Sequence, residues 1–304
     1  MKTASVTVNW GAPGDTIMAL QSLASMRRPP DYIICIDNGS PVADVSQLRA
    51  AMPKETVLIT LEDNVGLAAA HNVGMEYALS HDVDWTLLLN NDAIATAECL
   101  DRCLAEATAD PRIAIVGPAV TFTDEPHLLW FAGGNVSERF AYPRHRGLRE
   151  PAASPPPSSD VGYISGCCAL LSSKAFRSVG PFRSDYFMYY EETEWCQRAR
   201  AGGWRVRYLG EVLCTHAVSA SSGARGSLGL TENTAYYLAR NPLRFALETP
   251  HTLHRLTRVI GILGVYGAFN AWRTVKSGQR AVASAYIEGL ADAFRGRMGK
   301  RASA

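Results

Sequence analysis

Short apolar runs alternate with segments of helical pattern through the first 116 residues, and this alternation limits the folds open to the chain. The apolar runs predict strands, and all but the last are followed by a pattern typical of a helix. The predicted strands cover residues 4–10, 32–37, 56–61, 84–89 and 113–116. Strands and helices that alternate in this way favour an α/β fold with a doubly wound, mostly parallel sheet.

The fourth apolar run ends abruptly in Asn90, Asn91 and Asp92. A short apolar run bounded by polar residues is typical of a strand that is buried on both faces of a sheet. Ligands of open α/β sheets bind at the carboxyl ends of such strands. A carboxylate flanked by amides can hold a divalent cation that also binds phosphate oxygens and water. The same three residues are common in an ordinary turn before a helix N-cap.

Polar residues also follow the first three predicted strands. Asn9 lies at the end of the first strand and Asp37 at the end of the second. Asn64 and Gly66 lie in the loop after the third. Asp37 could accept hydrogen bonds from a nucleobase or a ribose, or it could form an Asx-turn within its own loop. No glycine pattern of dinucleotide-binding folds and no P-loop follows the first strand, which excludes these two phosphate-binding motifs.

A second informative stretch runs from an aromatic segment into acidic residues. Residues 187–190 lead directly into Glu191, Glu192 and Glu194 at the start of a predicted helix. Acidic residues in a first turn interact favourably with the helix dipole, which would explain Glu194. Glu191 and Glu192 lie where an aromatic wall meets the helix start. There a carboxylate can lose water, so that its pKa rises toward the range of a general base.

Other segments carry weaker signals. Residues 142–160 are rich in proline and predict either a lid over the site or a solvated loop. Residues 161–172 predict another strand, and residues 219–229 predict a mobile loop. His216 ends a short predicted strand, where a lone histidine usually has a structural role.

The C-terminal segment differs from the rest of the chain in charge. From Arg240 onward there are eleven Lys or Arg and three Asp or Glu, a net charge of +8, against −7 for the preceding residues. This asymmetry indicates a tail that meets an anionic surface. Residues 259–272 are apolar between Arg258 and Arg273, too few to span a bilayer, and suit an interfacial or packed helix.

The cysteines and the N-terminus bear on the compartment. The seven cysteines are odd in number and none are in a Cys-x-x-Cys pair, which predicts reduced thiols in a cytoplasmic protein. The N-terminus leads directly into a strand, so we expect no signal peptide.

Taken together, these motifs resemble those of the inverting glycosyltransferases of family 2, which have the GT-A fold. The resemblance covers nearly the whole chain. It rests on Asn9–Trp10, Ile36–Ser40, Asn64–Gly74, Leu89–Asp92, Ser165–Leu171, Val179–Phe182 and Phe187–Arg198. A narrower resemblance, to rhamnosyltransferase-like enzymes of bacterial surface polysaccharides, rests on Tyr236–Asn241 and Gly289–Gly299.

The resemblance implies transfer of a sugar, with rhamnose favoured, from a dTDP- or UDP-type nucleotide sugar to a hydroxyl of a glycan or lipid-linked acceptor. Asp92, with His216, would hold Mg²⁺ or Mn²⁺. Glu192, or its neighbour Glu191, would take the acceptor proton. The resemblance assigns acceptor contacts to Tyr189 and Trp195, and donor contacts to Asn9, Asp37, Asn64, Gly66, Asn72, Asn90 and Asn91.

Three positions depart from the family pattern. Asn90 replaces the first Asp of the metal motif, Glu192 is one methylene longer than the family's Asp, and residues 218–220 replace glycines after the histidine. These departures keep open a second interpretation, a non-catalytic GT-A-like binding subunit of a polysaccharide assembly complex. A nucleotidyltransferase is disfavoured because its basic, glycine-rich phosphate loop is absent after the first strand.

The sequence also predicts how the chain is divided and what it meets. We expect a catalytic GT-A domain at 1–229 and a basic helical extension at 230–304. The extension could contact the inner face of the plasma membrane peripherally. A homodimer is left open, and no nucleic-acid partner is expected.

Overall fold

The computed structural model describes residues 1–137, 143–217, 231–248, 252–268, 272 and 279–302. Its strands are β1 Thr3–Asn9, β2 Tyr32–Asn38, β3 Thr56–Leu61, β4 Trp85–Leu89, β5 Ala93–Ala95, β6 Ile113–Phe122, β7 Leu129–Phe131, β8 Gly134–Val136, β9 Pro143–His145, β10 Ser159–Asp160, β11 Cys168–Ser172 and β12 Arg205–His216. Its helices are α1 Pro13–Ala24, α2 Val42–Ala51, α3 Leu67–Ser80, α4 Cys99–Thr108, α5 Ser173–Val179, α6 Glu191–Ala201, α7 Glu232–Leu247, α8 Thr252–Gly261 and α9 Arg280–Arg295. A 3₁₀ turn covers Ser184–Tyr186 and a π-helical turn covers Ile262–Gly267.

The central sheet has the strand order β10-β12-β6-β11-β4-β1-β2-β3. β3, β2, β1 and β4 are parallel, and β11 lies antiparallel between β4 and β6. β5 pairs with β12 and β7 pairs with β6 at the end of the sheet. The predicted α/β fold with a mostly parallel sheet is therefore confirmed. All five predicted strands of the first 116 residues are present.

β1, β2 and β4 are buried almost throughout, as is typical of parallel strands covered by helices, whereas the edge strand β3 is mostly half-buried. β1 is buried along its whole length, and α3 packs against it. Gly74 of α3 allows this close packing, since a Cβ at that position would lie 2.5 Å from Val6 Cγ1. The carboxyl ends of β1, β2 and β4 consequently form one edge, to which their loops deliver polar residues.

The predicted strand at 161–172 is only partly present. β11 begins at Cys168. The residues before it form backbone hydrogen bonds with other segments instead. Val161 N–H donates to Val206 O at 3.0 Å, and Tyr163 N–H donates to Gly134 O at 2.9 Å. The N–H groups of Val161 and Tyr163 are therefore not available to extend β11 toward its N-terminus.

The C-terminal helices pack on one another and on the segment before α6. Small residues let α7 and α9 approach closely, and a Cβ at Gly289 would lie 2.3 Å from Tyr236 O. α8 and the π-helical turn after it pack on α7 through Val259 and Ile262, which belong to the same apolar cluster as Leu243. The ring of Phe187 stacks on Tyr237 of α7 with centroids 5.2 Å apart. The extension thus has its own small apolar clusters but is docked against the larger part of the chain.

Within the described ranges, no helix combines the length and apolar character needed to cross a membrane. The predicted loop at 219–229, the departure at 218–220, and Arg273 lie outside the residues described.

Candidate active site

Asp92 and His216 meet at the edge of the sheet although 124 residues separate them. β5, which follows Asp92, pairs antiparallel with the end of β12, so that Ala93 faces His216. Ala217 N–H donates to Asp92 O at 2.9 Å. The His216 ring nitrogen Nε2 consequently lies 3.0 Å from Asp92 Oδ1, and both side chains are buried. The short strand β5 is what brings the two predicted metal ligands together.

The pair fits a divalent cation that takes its other ligands from a substrate. His216 Nε2 and Asp92 Oδ1 are within hydrogen-bonding distance of each other. Their separation of 3.0 Å is also about that of two ligands in neighbouring octahedral positions about 2.1 Å from Mg²⁺. Nδ1 of His216 is buried without a hydrogen-bond partner in the described part of the chain. Among the described residues, no three His, Cys, Asp or Glu side chains lie together as a metal site. Phosphate oxygens and water would therefore have to complete the coordination, as is usual for Mg²⁺.

Asp37 is almost fully buried at the end of β2, where neighbouring loops hold its carboxylate. Asn9 Nδ2 donates to Asp37 Oδ1 at 2.7 Å, and Ser40 N–H donates to Asp37 Oδ2 at 3.1 Å. The bond from Ser40 N–H closes an Asx-turn, which was one of the two roles that the sequence left open for Asp37. Each carboxylate oxygen can accept more than one hydrogen bond, so a donor contact through Asp37 remains compatible with this geometry.

Asn9 and Asn91 connect two of the strand ends. Asn9 is fully buried, and its Oδ1 accepts a hydrogen bond from Thr16 Oγ1 at 2.6 Å. Asn91 Nδ2 donates to the same Thr16 Oγ1 at 3.3 Å. Both polar atoms of the Asn9 amide therefore form hydrogen bonds within the protein, and the side chain holds Asp37 in place. Its direct contact with a nucleotide sugar stays a prediction. Asn90 N–H donates to Cys167 O at 2.9 Å, which joins the site to the loop before β11.

The loop before α3 contacts the aromatic segment before α6. Asn64 Oδ1 accepts from Gly66 N–H at 2.9 Å. Gly66 has φ +89°, and a Cβ there would lie 2.5 Å from Phe187 O. Leu67 N–H donates to the same Phe187 oxygen at 2.6 Å. Only glycine therefore fits at position 66, and the predicted donor loop rests on the predicted acceptor segment.

Asn72 makes a second connection between these regions. Its Nδ2 donates to Phe182 O at 2.8 Å, and its Oδ1 accepts from Phe182 N–H at 3.0 Å. This two-point contact fastens α3 to the chain after α5. The structure thus gives Asn72 a positioning role, and its predicted donor contact stays a prediction.

Glu191 and Glu192 begin α6 but face different surroundings. Glu192 lines a cavity of about 960 Å³, whereas Glu191 is 4% exposed and is not part of that wall. Gly166 N–H donates to Glu192 Oε1 at 3.4 Å, and Glu192 Oε2 has no hydrogen-bond partner among the residues described. Burial raises the pKa of both carboxyls, and the charge of Glu192 raises that of Glu191 further. Glu192 is therefore the carboxylate that a molecule in the cavity would meet.

The cavity next to Glu192 has aromatic and charged walls. It is lined by Trp130, Arg144, His145, Tyr163, Tyr189 and Tyr190, among others. Trp130 also packs edge-on against His216, with ring centroids 4.3 Å apart. Burial lowers the pKa of His145 to about 4, so this ring is neutral at pH 7. The cavity therefore lies between the Asp92–His216 edge and the start of α6.

Most of this wall was not predicted from the sequence. Residues 143–148 belong to the stretch that was left open as a lid or a solvated loop, and they form one side of the cavity. The run Pro143-Arg-His-Arg146 was the available signal for that side. Trp130 stands in no recognisable motif, so only the fold reveals its place.

Of the two predicted acceptor-side residues, the structure places only Tyr189 in the cavity. Trp195 is fully buried, and its indole Nε1 donates to Gly180 O at 2.8 Å. Its ring packs against Phe176 and Phe182. The prediction that Trp195 contacts the acceptor is wrong, because its helical spacing places it on the core face of α6.

Comparison with known proteins identifies the class to which this fold and site belong. The family model for glycosyl transferase family 2 matches residues 16–180. The chain belongs to this family and is therefore a glycosyltransferase, and its mostly parallel sheet with flanking helices is the GT-A fold.

Individual relatives are more distant. The chain is 27% identical over 281 residues to N-acetylglucosaminyl-diphospho-decaprenol L-rhamnosyltransferase of Mycobacterium tuberculosis, which covers 81% of this chain and 89% of the relative. It is 26% identical to dTDP-rhamnosyl transferase RfbF of Shigella flexneri, over 63% of this chain and 61% of the relative. The mannosyltransferase PcManGT from Pyrobaculum calidifontis, solved in complex with GDP-Man and Mn²⁺, has a TM-score of 0.60 at 15% identity over 96% of this chain and 80% of its own. The structural similarity supports the fold alone.

Proposed function

We propose that the protein transfers a sugar, with rhamnose favoured, from a dTDP- or UDP-type nucleotide sugar to a hydroxyl of a glycan or glycolipid acceptor in bacterial surface polysaccharide synthesis. One observation carries this proposal. Trp130 packs against His216 and also lines the cavity that Glu192 faces, so the Asp92–His216 pair lies next to the cavity that contains the carboxylate. The names of the two rhamnosyltransferase relatives support the choice of sugar.

The reaction would be a single displacement with inversion at the anomeric carbon. The acceptor hydroxyl loses its proton to the Glu192 carboxylate as its oxygen bonds to the anomeric carbon. The bond from that carbon to the diphosphate breaks, and the nucleoside diphosphate leaves with the electron pair. The raised pKa of Glu192 suits it to accept this proton near neutral pH. A divalent cation held by Asp92 and His216 would offset the charge on the leaving diphosphate.

The donor would lie along the ends of β1, β2 and β4. Asp37 would accept a hydrogen bond from the base imide or the ribose, and the backbone at Asn64 and Gly66 would border the nucleotide. Asn90, which is partly exposed beside Asp92, would contact the diphosphate or sugar. Thymine and uracil present the same imide edge, so this contact accommodates dTDP and UDP donors alike.

The acceptor would occupy this cavity with its aromatic and charged walls. Partly exposed aromatic rings such as those of Trp130 and Tyr189 are the kind of surface on which sugar rings can stack. Arg144 is exposed at the cavity wall and could bind a phosphate group as an ion pair. A sugar that is joined to a lipid carrier through a diphosphate presents both features. This is the acceptor type that the name of one relative states for that protein.

We further propose that α8 contacts the cytoplasmic face of a membrane. Val259 and Ile262 point toward α7, as expected for a packed helix. Leu256 and Ile260 of α8, and Leu263 of the π-helical turn that follows it, are instead 57%, 58% and 37% exposed. Such a second apolar face is typical of a helix that lies in the headgroup region. The division at residue 229 and a homodimer remain predictions.

A panel of nucleotide sugars would test the proposed function. With Mn²⁺, dTDP-rhamnose should raise the unfolding temperature, since a ligand at 100 times its Kd stabilises by about 2.7 kcal/mol. Chelation of Mn²⁺ should remove most of this shift. Asp92→Asn, which keeps the shape and the contact with His216, should remove the same Mn²⁺-dependent part and abolish transfer.

The outcomes separate the two interpretations of the sequence. A nucleotide sugar that binds but is neither transferred nor hydrolysed would favour the non-catalytic binding subunit. Absence of any stabilising nucleotide sugar would contradict both. An unchanged Mn²⁺ response in Asp92→Asn would contradict the cation site.

A further inference from the structure

The turn immediately before α6 has an unusual backbone. Phe187, Tyr189 and Tyr190 have positive φ angles of 68°, 65° and 76°. Residues with side chains rarely adopt such angles unless the surrounding structure holds them there. Because α6 begins at Glu191, the path of this turn sets where the helix starts and where Glu192 points.

The side chain of Asn241 in α7 holds the carbonyl groups of this turn. Asn241 Nδ2 donates to the carbonyl oxygens of Tyr186, Met188 and Tyr189 at 3.1, 2.7 and 2.9 Å. An amide nitrogen carries only two hydrogens, so these three oxygens share them. Three carbonyl oxygens that converge in this way would repel one another without the donor.

Arg240 orients Asn241 and extends the same contact. Its Nε donates to Asn241 Oδ1 at 2.9 Å, which fixes the side of the amide that faces the turn. Its Nη2 donates to Tyr186 O at 2.8 Å. Arg240 is fully buried, and the rings of Tyr236 and Tyr237 lie 5.3 and 4.9 Å from its guanidinium carbon. Carbonyl oxygens and aromatic faces thus replace the water that the buried cation has lost.

The remaining carbonyl of the turn bonds to the donor loop. Phe187 O accepts from Leu67 N–H, and the Phe187 ring lies between Gly66 and Tyr237. The turn is therefore fixed from α7 on one side and from the start of α3 on the other. A shift of the turn would move Glu192 relative to the loops that border the donor.

We propose that Arg240 and Asn241 are positioning residues for the sugar transfer, since they hold the turn that sets the Glu192 carboxylate against the acceptor hydroxyl. This inference rests on the proposed function. Neither residue lines the cavity itself, and both act through the backbone of residues 186–189. The sequence resemblance had marked these two residues only as part of a motif.

Asn241→Ala and the milder Asn241→Ser test the proposal in the full-length protein. Tyr236→Phe is the matched control: it lies on the same helix and loses a buried hydrogen bond to Asp292 of 2.9 Å, but it keeps the ring beneath Arg240. Three quantities are measured for each variant, namely kcat for transfer, the Kd of dTDP with Mn²⁺, and hydrogen exchange of the amides at 184–195.

Asn241→Ala should lower kcat by about 10–100-fold, since a displacement near 1 Å can cost this much. The affinity for dTDP should change little, because the sheet and Asn38 hold the Asp37 and Asn64 loops. Exchange at 184–195 should accelerate. Asn241→Ser should show the same pattern more weakly, and Tyr236→Phe should lose thermal stability with little change in kcat or in this exchange.

Unchanged exchange at 184–195 in both Asn241 variants would overturn the proposal. So would faster exchange with unchanged kcat, or a fall in kcat that Tyr236→Phe reproduces. If Asn241→Ala does not fold, Asn241→Ser decides. A wild-type protein that transfers no sugar would contradict the proposed function and with it the catalytic part of this inference, whereas exchange would still decide whether the pair holds the turn.

Discussion

Two adjacent glutamates at the start of α6 differ in what surrounds them. Successive residues of a helix point about 100° apart, so Glu192 reaches the cavity wall while Glu191 turns toward the interior. Neither carboxyl has both oxygens bonded to described residues. Burial raises the pKa of both carboxyls. The two residues therefore carry the same functional group, but only the carboxyl of Glu192 is open to a molecule in the cavity.

This difference predicts which glutamate serves as the base. Glu192→Gln keeps the side-chain shape but cannot accept a proton, so turnover should fall by about 10²–10⁴-fold while donor binding survives. Glu191→Gln, the matched control, should retain most of the turnover. Steady-state transfer rates together with the Kd of dTDP would check both variants. Greater loss of turnover in Glu191→Gln would reverse the assignment.

The buried Glu191 carboxyl also predicts a pH dependence of stability. Its pKa is raised in the folded protein, so its contribution to stability is complete below the unfolded-state pKa and is lost as pH rises through the folded-state pKa. Glu191→Gln should match the wild-type protein near pH 4, about the ordinary pKa of a glutamate. Toward pH 8 it should become progressively more stable than wild type. Urea unfolding across this range would check the trend, and a constant difference between the two proteins would contradict it.

At the scale of elements, the turn before α6 and the helix α8 both depend on α7. Each residue with a side chain at positive φ costs roughly 1–3 kcal/mol, and three such residues precede Glu191. Contacts from α7 hold them in place, so this helix contributes to the site without lining most of it. The same helix provides the surface on which the inner face of α8 packs.

The outer face of α8 predicts membrane binding that point substitutions can remove. In a flotation assay, the wild-type protein should bind anionic vesicles at low salt, and high salt should weaken the electrostatic part of the attraction. Leu256→Gln combined with Ile260→Gln should abolish binding without unfolding the protein, because both side chains are exposed. Val42→Gln, which replaces another exposed apolar residue, is the control and should bind as wild type does. Failure of the wild-type protein to bind would assign α8 a purely structural role.

At the scale of the whole molecule, the sequence predicted those parts of the fold that depend on local pattern. The strands around Ile34 and Leu88 were found because buried parallel strands are continuous apolar runs. The role of β5 was missed, since its three residues carry no periodic signal, although they bring His216 to Asp92. Trp195 was assigned to the wrong face, because an aromatic cluster in sequence separates into core and cavity residues only when the helix is oriented.

The same limit applies to the C-terminal extension. Charge composition alone indicated a basic tail that meets an anionic surface, and a truncation after Glu248 would be the simplest way to remove it. The structure shows that α9 covers the buried face of α7, where Tyr236 bonds to Asp292. Deletion there would expose that face and disturb the turn before α6, so it would not isolate the membrane contact. Long-range packing of this kind leaves no periodic pattern in the sequence.

The separation of 124 residues between Asp92 and His216 sets an order of events during synthesis. At ribosomal rates of about 5–20 residues per second, roughly 6–25 s pass between the addition of these two residues. The growing chain therefore lacks the Asp92–His216 pair until β12 has been made. The Asn241 side chain that holds the turn before α6 is added later still. Under the proposed function, an unfinished polypeptide would not yet be able to consume nucleotide sugar.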